Sequence, residues 1–101
     1  MEKSINKTKI LFTTPVVVTT AVYDKMKSSK SFDSFVTKCL TRHFSGDFGS
    51  IPEDEILMNL EAIKNKIDRV ISVYKNDNGF KIYIITDGIP RHTTVLFPSD
   101  Y

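Results

Sequence analysis

Cysteine is almost absent from this chain of 101 residues, which contains one, Cys39. A single cysteine cannot form an intramolecular disulfide, and this favours a protein of the reducing cytoplasm. The fold must then be stabilised by its core, for which a hydrophobic content of 41% is sufficient. At this length the sequence predicts one domain at residues 15–101, preceded by a flexible segment at residues 1–14.

Long hydrophobic runs are missing as well. The most apolar stretch, ILFTTPVVVTTAV (residues 10–22), contains Pro15 and four threonines, and it is too short and too polar to span a bilayer. It follows a basic segment, as the apolar part of a signal peptide would, but no clean small-x-small cleavage site follows it. We therefore predict a cytoplasmic protein that does not contact a membrane.

The sequence also lacks the short motifs that mark known catalytic and metal sites. It contains no C-x-x-C, H-E-x-x-H or H-x-H spacing, no glycine-rich phosphate loop and no G-x-S-x-G elbow. We expect no metal and no cofactor. The sequence favours a protein that is not an enzyme but does not decide between the two.

The net charge of +2 at pH 7 conceals an uneven distribution. Residues 1–46 contain eight Lys and Arg against three Asp and Glu, whereas residues 47–101 contain six against nine. A basic first half is compatible with nucleic-acid binding. Scattered lysines more often form a solvated face, however, and we favour that interpretation.

Apolar spacing predicts two helices in the first half. After a short strand of β-branched residues at 16–19, Thr19 or Thr20 can cap a helix that ends near residue 27. The clearest helix begins at Ser31 and ends at about Ser45, because Gly46 suits a left-handed C-terminal cap. Its apolar stripe comprises Phe32, Phe35, Val36, Cys39, Leu40, His43 and Phe44.

A third helix, ending near residue 66, is predicted from the S-x-x-E capping box of Ser50 and Glu53. Asn59 falls on its expected inward face, so we predict a buried amide that bonds the loop at residues 46–50. Phe48, in that loop, should fill part of the core. The expected inward face consists of Ile56, Leu60, Ile63 and Ile67.

The last third of the chain changes to the composition of strands. RVISVYK, FKIYIITD and HTTVLF are rich in β-branched and aromatic residues, and the segments between them, 76–79 and 88–91, are turn signals. Large apolar residues on both faces of FKIYIITD indicate a central strand. The sequence thus predicts an α+β fold in which a short N-terminal strand and three helices pack on a C-terminal three-stranded antiparallel meander.

The stretch CLTRHFSGDFG (residues 39–49) contains the candidate catalytic residues. His43 could act as a general base that Asp47 orients. However, His43 lies on the apolar stripe, and Gly46 ends the helix before Asp47. We therefore favour a partly buried histidine that bonds the adjacent loop or Asp47 and fixes the helix end.

Four further residues are candidate binding residues. Arg42 could hold a carboxylate or phosphate bidentately, although a solvated arginine in the last helical turn is the more common arrangement. Arg91 and His92 follow a Gly-Ile-Pro turn and could form an anion-binding tip beside Asp87. The simpler interpretation is a hairpin turn with polar residues.

Four segments, CLTRHFSGDFG, RVISVY, IYIITDG and TTVLFPSDY, occur in this order. In order and spacing they resemble a group of small bacterial proteins of plasmids, phages and other mobile elements, with the pattern RHxxGDWG, RLLSxY, WIITE and TTxLxPxEY. The chain departs from the pattern at Phe48 and Tyr83, where tryptophan is usual, and at Asp87 and Asp100, where glutamate is usual. The resemblance implies an accessory protein of a mobile element, a class in which inhibitors of host defence are frequent.

Three functions follow from these observations. We favour a non-enzymatic protein that binds a host protein, of anti-CRISPR or anti-restriction type. The first alternative is a small hydrolase or nucleotide-acting enzyme centred on His43 and Asp47. The second is a DNA-binding helix-turn-helix at residues 20–27 and 32–45, whose basic residues would be Lys25, Lys27, Lys30, Lys38 and Arg42.

Overall fold

A computed structural model describes residues 9–101 of the chain. Residues 1–8 of the predicted flexible segment lie outside the described residues. The elements in chain order are β1 (Val16–Val18), α1 (Thr20–Ser28), α2 (Lys30–Phe44), α3 (Glu53–Asn65), β2 (Val70–Lys75), β3 (Lys81–Asp87), β4 (His92–Leu96) and a final 3-10 turn (Pro98–Asp100). Within the described part of the chain, no helix is long and apolar enough to cross a membrane.

The sheet has four strands in the order β1-β4-β3-β2, and the predicted count of three is wrong. The antiparallel meander of β2, β3 and β4 is present as expected. The difference is β1, which joins the sheet by pairing in parallel with β4, so that Val17 lies opposite Thr94. Local composition identifies β1 as a strand but contains no signal for a partner so distant in the chain. β3 is a central strand, as its two apolar faces predicted.

Helices α1 and α2 pack on one face of the sheet and form the main core. The predicted stripe of α2 is confirmed, since Phe32, Val36 and Cys39 are buried against the strand residues Tyr74 and Ile82. The helix begins one residue earlier than expected because Ser29 is its cap, with the Ser29 hydroxyl accepting a hydrogen bond from the Phe32 amide at 3.2 Å. Gly46 follows the helix with a φ of +87°, as predicted.

Helix α3 lies beside β2, and its predicted cap and part of its predicted inward face are wrong. The predicted capping box does not form: the N-cap is Pro52, whose side chain has no hydrogen-bonding group, and the amide of Ser50 donates to the Val73 carbonyl at 2.8 Å. Of the predicted inward face, Ile56 and Ile63 pack against the core as expected, whereas Leu60 and Ile67 are 40% and 59% exposed. Asn59 lies inward as predicted and faces the edge of β2.

The outer edge of β2 is closed by polar contacts. The Asn59 side chain donates to the carbonyl of Ile71 at 2.8 Å and accepts from the Ile71 amide at 3.1 Å. Asn59 is therefore buried as predicted but bonds the strand, not the loop at 46–50. Two residues further along β2, the amide of Val73 donates to the carbonyl of Phe48 at 3.1 Å. These contacts satisfy backbone groups that an edge strand would otherwise leave open.

Candidate functional site

His43 is completely buried in the last turn of α2 and bonds the sheet. Its Nδ1 lies 2.5 Å from the hydroxyl of Ser72 in β2, and its Nε2 lies 2.9 Å from the hydroxyl of Thr86 in β3. The prediction of a buried histidine is therefore confirmed. The predicted partner is wrong, because both ring nitrogens bond strand hydroxyls and neither bonds the adjacent loop or Asp47.

The hydrogen bonds continue from Thr86 through the hydroxyls of Thr93 and Thr14. We call these five residues, His43, Ser72, Thr86, Thr93 and Thr14, the His43 cluster. The Thr14 hydroxyl donates to the Pro15 carbonyl at 3.1 Å. One assignment satisfies every group of the cluster. The imidazole is neutral, accepts from the Ser72 hydroxyl at Nδ1 and donates from Nε2 to Thr86. Each threonine hydroxyl then donates to the next oxygen in the series, which ends at the Pro15 carbonyl.

Aromatic rings surround the imidazole and exclude water from it. The ring centroids of Phe12, Phe44 and Phe48 lie 5.4, 5.6 and 6.2 Å from that of His43. Burial lowers the pKa of His43 from 6.5 to about 4, because the charged form loses its hydration. His43 is consequently neutral at pH 7 and has no surface through which a substrate could reach it.

This lowered pKa predicts that acid destabilises the protein. The unfolded chain gains a proton on His43 below pH of about 6.5, whereas the folded chain gains it only near pH 4. The contribution of His43 to the free energy of unfolding is therefore complete above pH 7 and falls as the pH drops between these two pKa values. At a pH of about 4.5 the loss is about 2–3 kcal/mol. Urea unfolding at pH values of about 7 and about 4.5 measures this loss. The variant His43→Leu should lose this part of the pH dependence, and an equal loss in both proteins would contradict the assignment.

Asp47 pairs with Arg42 and is not brought to His43. The Arg42 Nε–Asp47 Oδ2 distance is 2.7 Å and the Nη2–Oδ1 distance is 3.1 Å. The guanidinium holds the pKa of Asp47 below its usual value through this hydrogen bond. Arg42 also lies over the ring of Tyr74, whose hydroxyl donates to the Asp47 carbonyl at 2.7 Å. Both ionic groups are partly exposed, and their contacts fix the turn after α2.

The other candidate binding residues lie near the opposite end of β2. Arg91 donates to the carbonyl of Asp68 at 3.0 Å, in the loop before β2. His92 Nδ1 lies 3.3 Å from the carbonyl of Pro90, and the strand register places His92 opposite Asp87. The structure thus brings Asp87, Arg91 and His92 together at the β3–β4 turn, and Arg42 is separate from them.

Asp87 and Arg91 line a groove of about 1280 Å³ between α3, the loop before β2 and the β3–β4 turn. We call it the α3 groove. Three large apolar side chains in its lining are exposed: Met58 by 66%, Ile67 by 59% and Ile89 completely. The carboxylates in the lining belong to Asp54, Glu55, Glu61, Asp68 and Asp87, and the basic groups belong to Lys66, Arg69 and Arg91.

The α3 groove does not follow from the sequence patterns. The apolar spacing predicts Ile67 in the interior, and no motif indicates a role for Met58 or Ile89. A signal was present in α3, where apolar residues at positions 56, 57, 58, 60 and 63 occupy more of the helix circumference than one buried stripe requires. Such a distribution leaves some apolar residues exposed when only one side of the helix is covered.

Cys39 is a free cysteine buried in the core. Burial raises the pKa of the Cys39 thiol to about 11, so it stays protonated at neutral pH. Among residues 9–101, no three His, Cys, Asp or Glu side chains are grouped so that they could hold a metal ion.

The chain was also compared with models of protein families, with curated proteins and with solved structures. None of the three comparisons returned a match.

Proposed function

We propose that the protein is a non-enzymatic binding protein that occupies the surface of a protein partner through the α3 groove. The observation that carries this proposal is the exposure of Met58, Ile67 and Ile89 within one concavity. Clustered exposed apolar side chains with a polar rim are typical of protein interaction sites. On α3 itself, Leu57 is 63% exposed and extends the apolar surface beyond the groove.

A protein partner fits the charge of the groove better than a nucleic acid does. Five carboxylates and three basic groups line it, and a phosphate backbone would be repelled by that excess. The lysines proposed for DNA binding are partly engaged elsewhere: Lys25 lies over the ring of Phe80 at 4.1 Å, and Lys27 lies over that of Tyr23 at 5.3 Å.

The alternative of a hydrolase centred on His43 and Asp47 finds no supporting geometry. A general base must reach the proton that it removes, whereas the ring nitrogens of His43 are both occupied inside the core. Asp47 bonds Arg42 on the surface. The resemblance to proteins of mobile elements supports a finer version of the binding proposal, in which the partner belongs to a host defence system and is inhibited by occupancy.

The proposal is tested by affinity capture from a bacterial host lysate with a groove variant and a matched control. Met58→Glu combined with Ile89→Ser places a charge and a polar group in the groove, and it should reduce the captured partner at least about tenfold because apolar anchors dominate such interfaces. Tyr23→Ser, at a residue 52% exposed outside the groove, should capture as the unmodified chain does. Both variants should keep the melting temperature. Equal capture by all three chains would refute the groove as the binding surface.

A further inference from the structure

We infer that the segment bound in the α3 groove is a basic amphipathic helix of the partner protein. This inference rests on the proposed function and specifies what the groove recognises. It follows from three features of the described residues: the positions of the apolar anchors, the sign of the charge on the two walls, and the absence of an open strand edge at the base.

The apolar anchors lie on both sides of the groove. Met58 belongs to α3, Ile67 follows the end of that helix, and Ile89 belongs to the β3–β4 turn. An entering segment must therefore present large apolar side chains to both walls. A helix does so when its apolar face is at least about 100° wide, because side chains at the two borders of that face then reach opposite walls.

Carboxylates accompany the anchors on both walls. Asp54 and Glu61 lie on α3, and Asp68 and Asp87 lie on the opposite side. Among residues 9–101, none of these carboxylates forms an ion pair. The two arginines of the lining are directed to other acceptors, Arg91 to the carbonyl of Asp68 and Arg69 to the hydroxyl of Tyr101 at 2.6 Å. With Glu55 and Lys66 included, the lining contains five carboxylates against three basic groups, and this excess of negative charge is complementary to lysine and arginine.

The base of the groove cannot accept a partner by strand addition to β2. Asn59 occupies both the amide and the carbonyl of Ile71, which lines the groove. The next amide and carbonyl on this edge of β2 are those of Val73, and they bond the Phe48 carbonyl and the Ser50 amide. A peptide that binds an edge strand needs such groups free. Recognition must therefore use side chains, and among the modes of peptide recognition a helix in the groove fits.

The probe for this inference is a synthetic helix of leucine and lysine, five turns or about 18 residues long, with all leucines on one face. A matched peptide has glutamate in place of lysine. NMR spectra of the isotope-labelled protein should show that the lysine peptide shifts the amide signals of residues 57–62, 87–89 and 91, and that the glutamate peptide does not. Raising the salt from about 50 to 500 mM should weaken the binding at least about tenfold. Shifts from both peptides alike, or from neither, would overturn the inference.

Variants in which carboxylates are replaced by uncharged amides test whether the carboxylates of the groove bind the lysine peptide. Asp54→Asn, Glu61→Gln and Asp68→Asn together should weaken binding of the lysine peptide at least about tenfold. The same charge change outside the groove, Asp24→Asn with Asp33→Asn and Asp77→Asn, should leave the binding unchanged, and equal weakening by both sets would overturn the inference. If partner capture depends on Met58 and Ile89 while the lysine peptide fails to bind, this inference is wrong and the proposed function stands. If capture is also independent of them, both are wrong.

Discussion

His43→Ala is expected to lower the free energy of unfolding by about 3–4 kcal/mol. The substitution leaves a cavity where the imidazole is completely enclosed. It also removes the hydrogen-bond partner of two buried hydroxyls, on Ser72 and Thr86. Urea unfolding at neutral pH measures the loss. His92→Ala is the control, because that histidine is only half-buried and should change stability by less than about 1 kcal/mol.

The same variant separates a structural histidine from a catalytic one. The folded fraction of His43→Ala, measured at low temperature, should bind the partner as the unmodified chain does, because His43 does not reach the α3 groove. A catalytic role requires the opposite result, in which function disappears and the melting temperature is unchanged. That result would contradict the structural assignment of the His43 cluster.

Gly49→Ala is expected to have the second large effect, a loss of at least about 3 kcal/mol. Gly49 has a φ of +75°, and a Cβ there would lie 2.0 Å from the carbonyl oxygen of Val73. The loop must therefore move away from β2, which breaks the hydrogen bonds that join Phe48 and Ser50 to Val73.

Gly79→Ala is the matched control for Gly49→Ala. Gly79 has a similar φ of +87°, but no atom lies within 4 Å of the position that its Cβ would take. Only the cost of the left-handed backbone applies, about 1 kcal/mol. The difference between the two losses, measured by urea unfolding, isolates the close approach of the loop to β2. Equal losses would show that the loop does not contact the strand as described.

Local patterns predicted the parts of the fold that depend on neighbours in sequence. The spacing of α2 identified its buried side, Gly46 marked its end, and the turn at residues 76–79 marked the hairpin. The α+β class followed from these elements. The pairing of β1 with β4 and the bonds between Asn59 and Ile71 could not be predicted, because each depends on which distant elements meet in space.

At the candidate site, too, local features could be predicted from the sequence and contacts between distant residues could not. The sequence placed His43 in the core but could not identify Ser72 and Thr86 as its partners, which lie 29 and 43 residues away. The four segments that carry the resemblance contribute His43, Ser72, Thr86 and Thr93 to one cluster. Met58, Ile67 and Ile89 lie outside those segments. These segments therefore give no indication of the apolar side chains of the α3 groove, although Arg69 and Asp87 within them contribute to its lining.

Photo-crosslinking in living host cells tests the groove most directly. A photoreactive phenylalanine analogue is placed at position 58, within the groove, and in a second chain at position 23, outside it. Both residues are more than half exposed, so the substitutions preserve the fold. We predict one discrete cross-linked protein from position 58 and none from position 23. No product from position 58, or the same product from both, would contradict the proposal that the protein acts through the α3 groove.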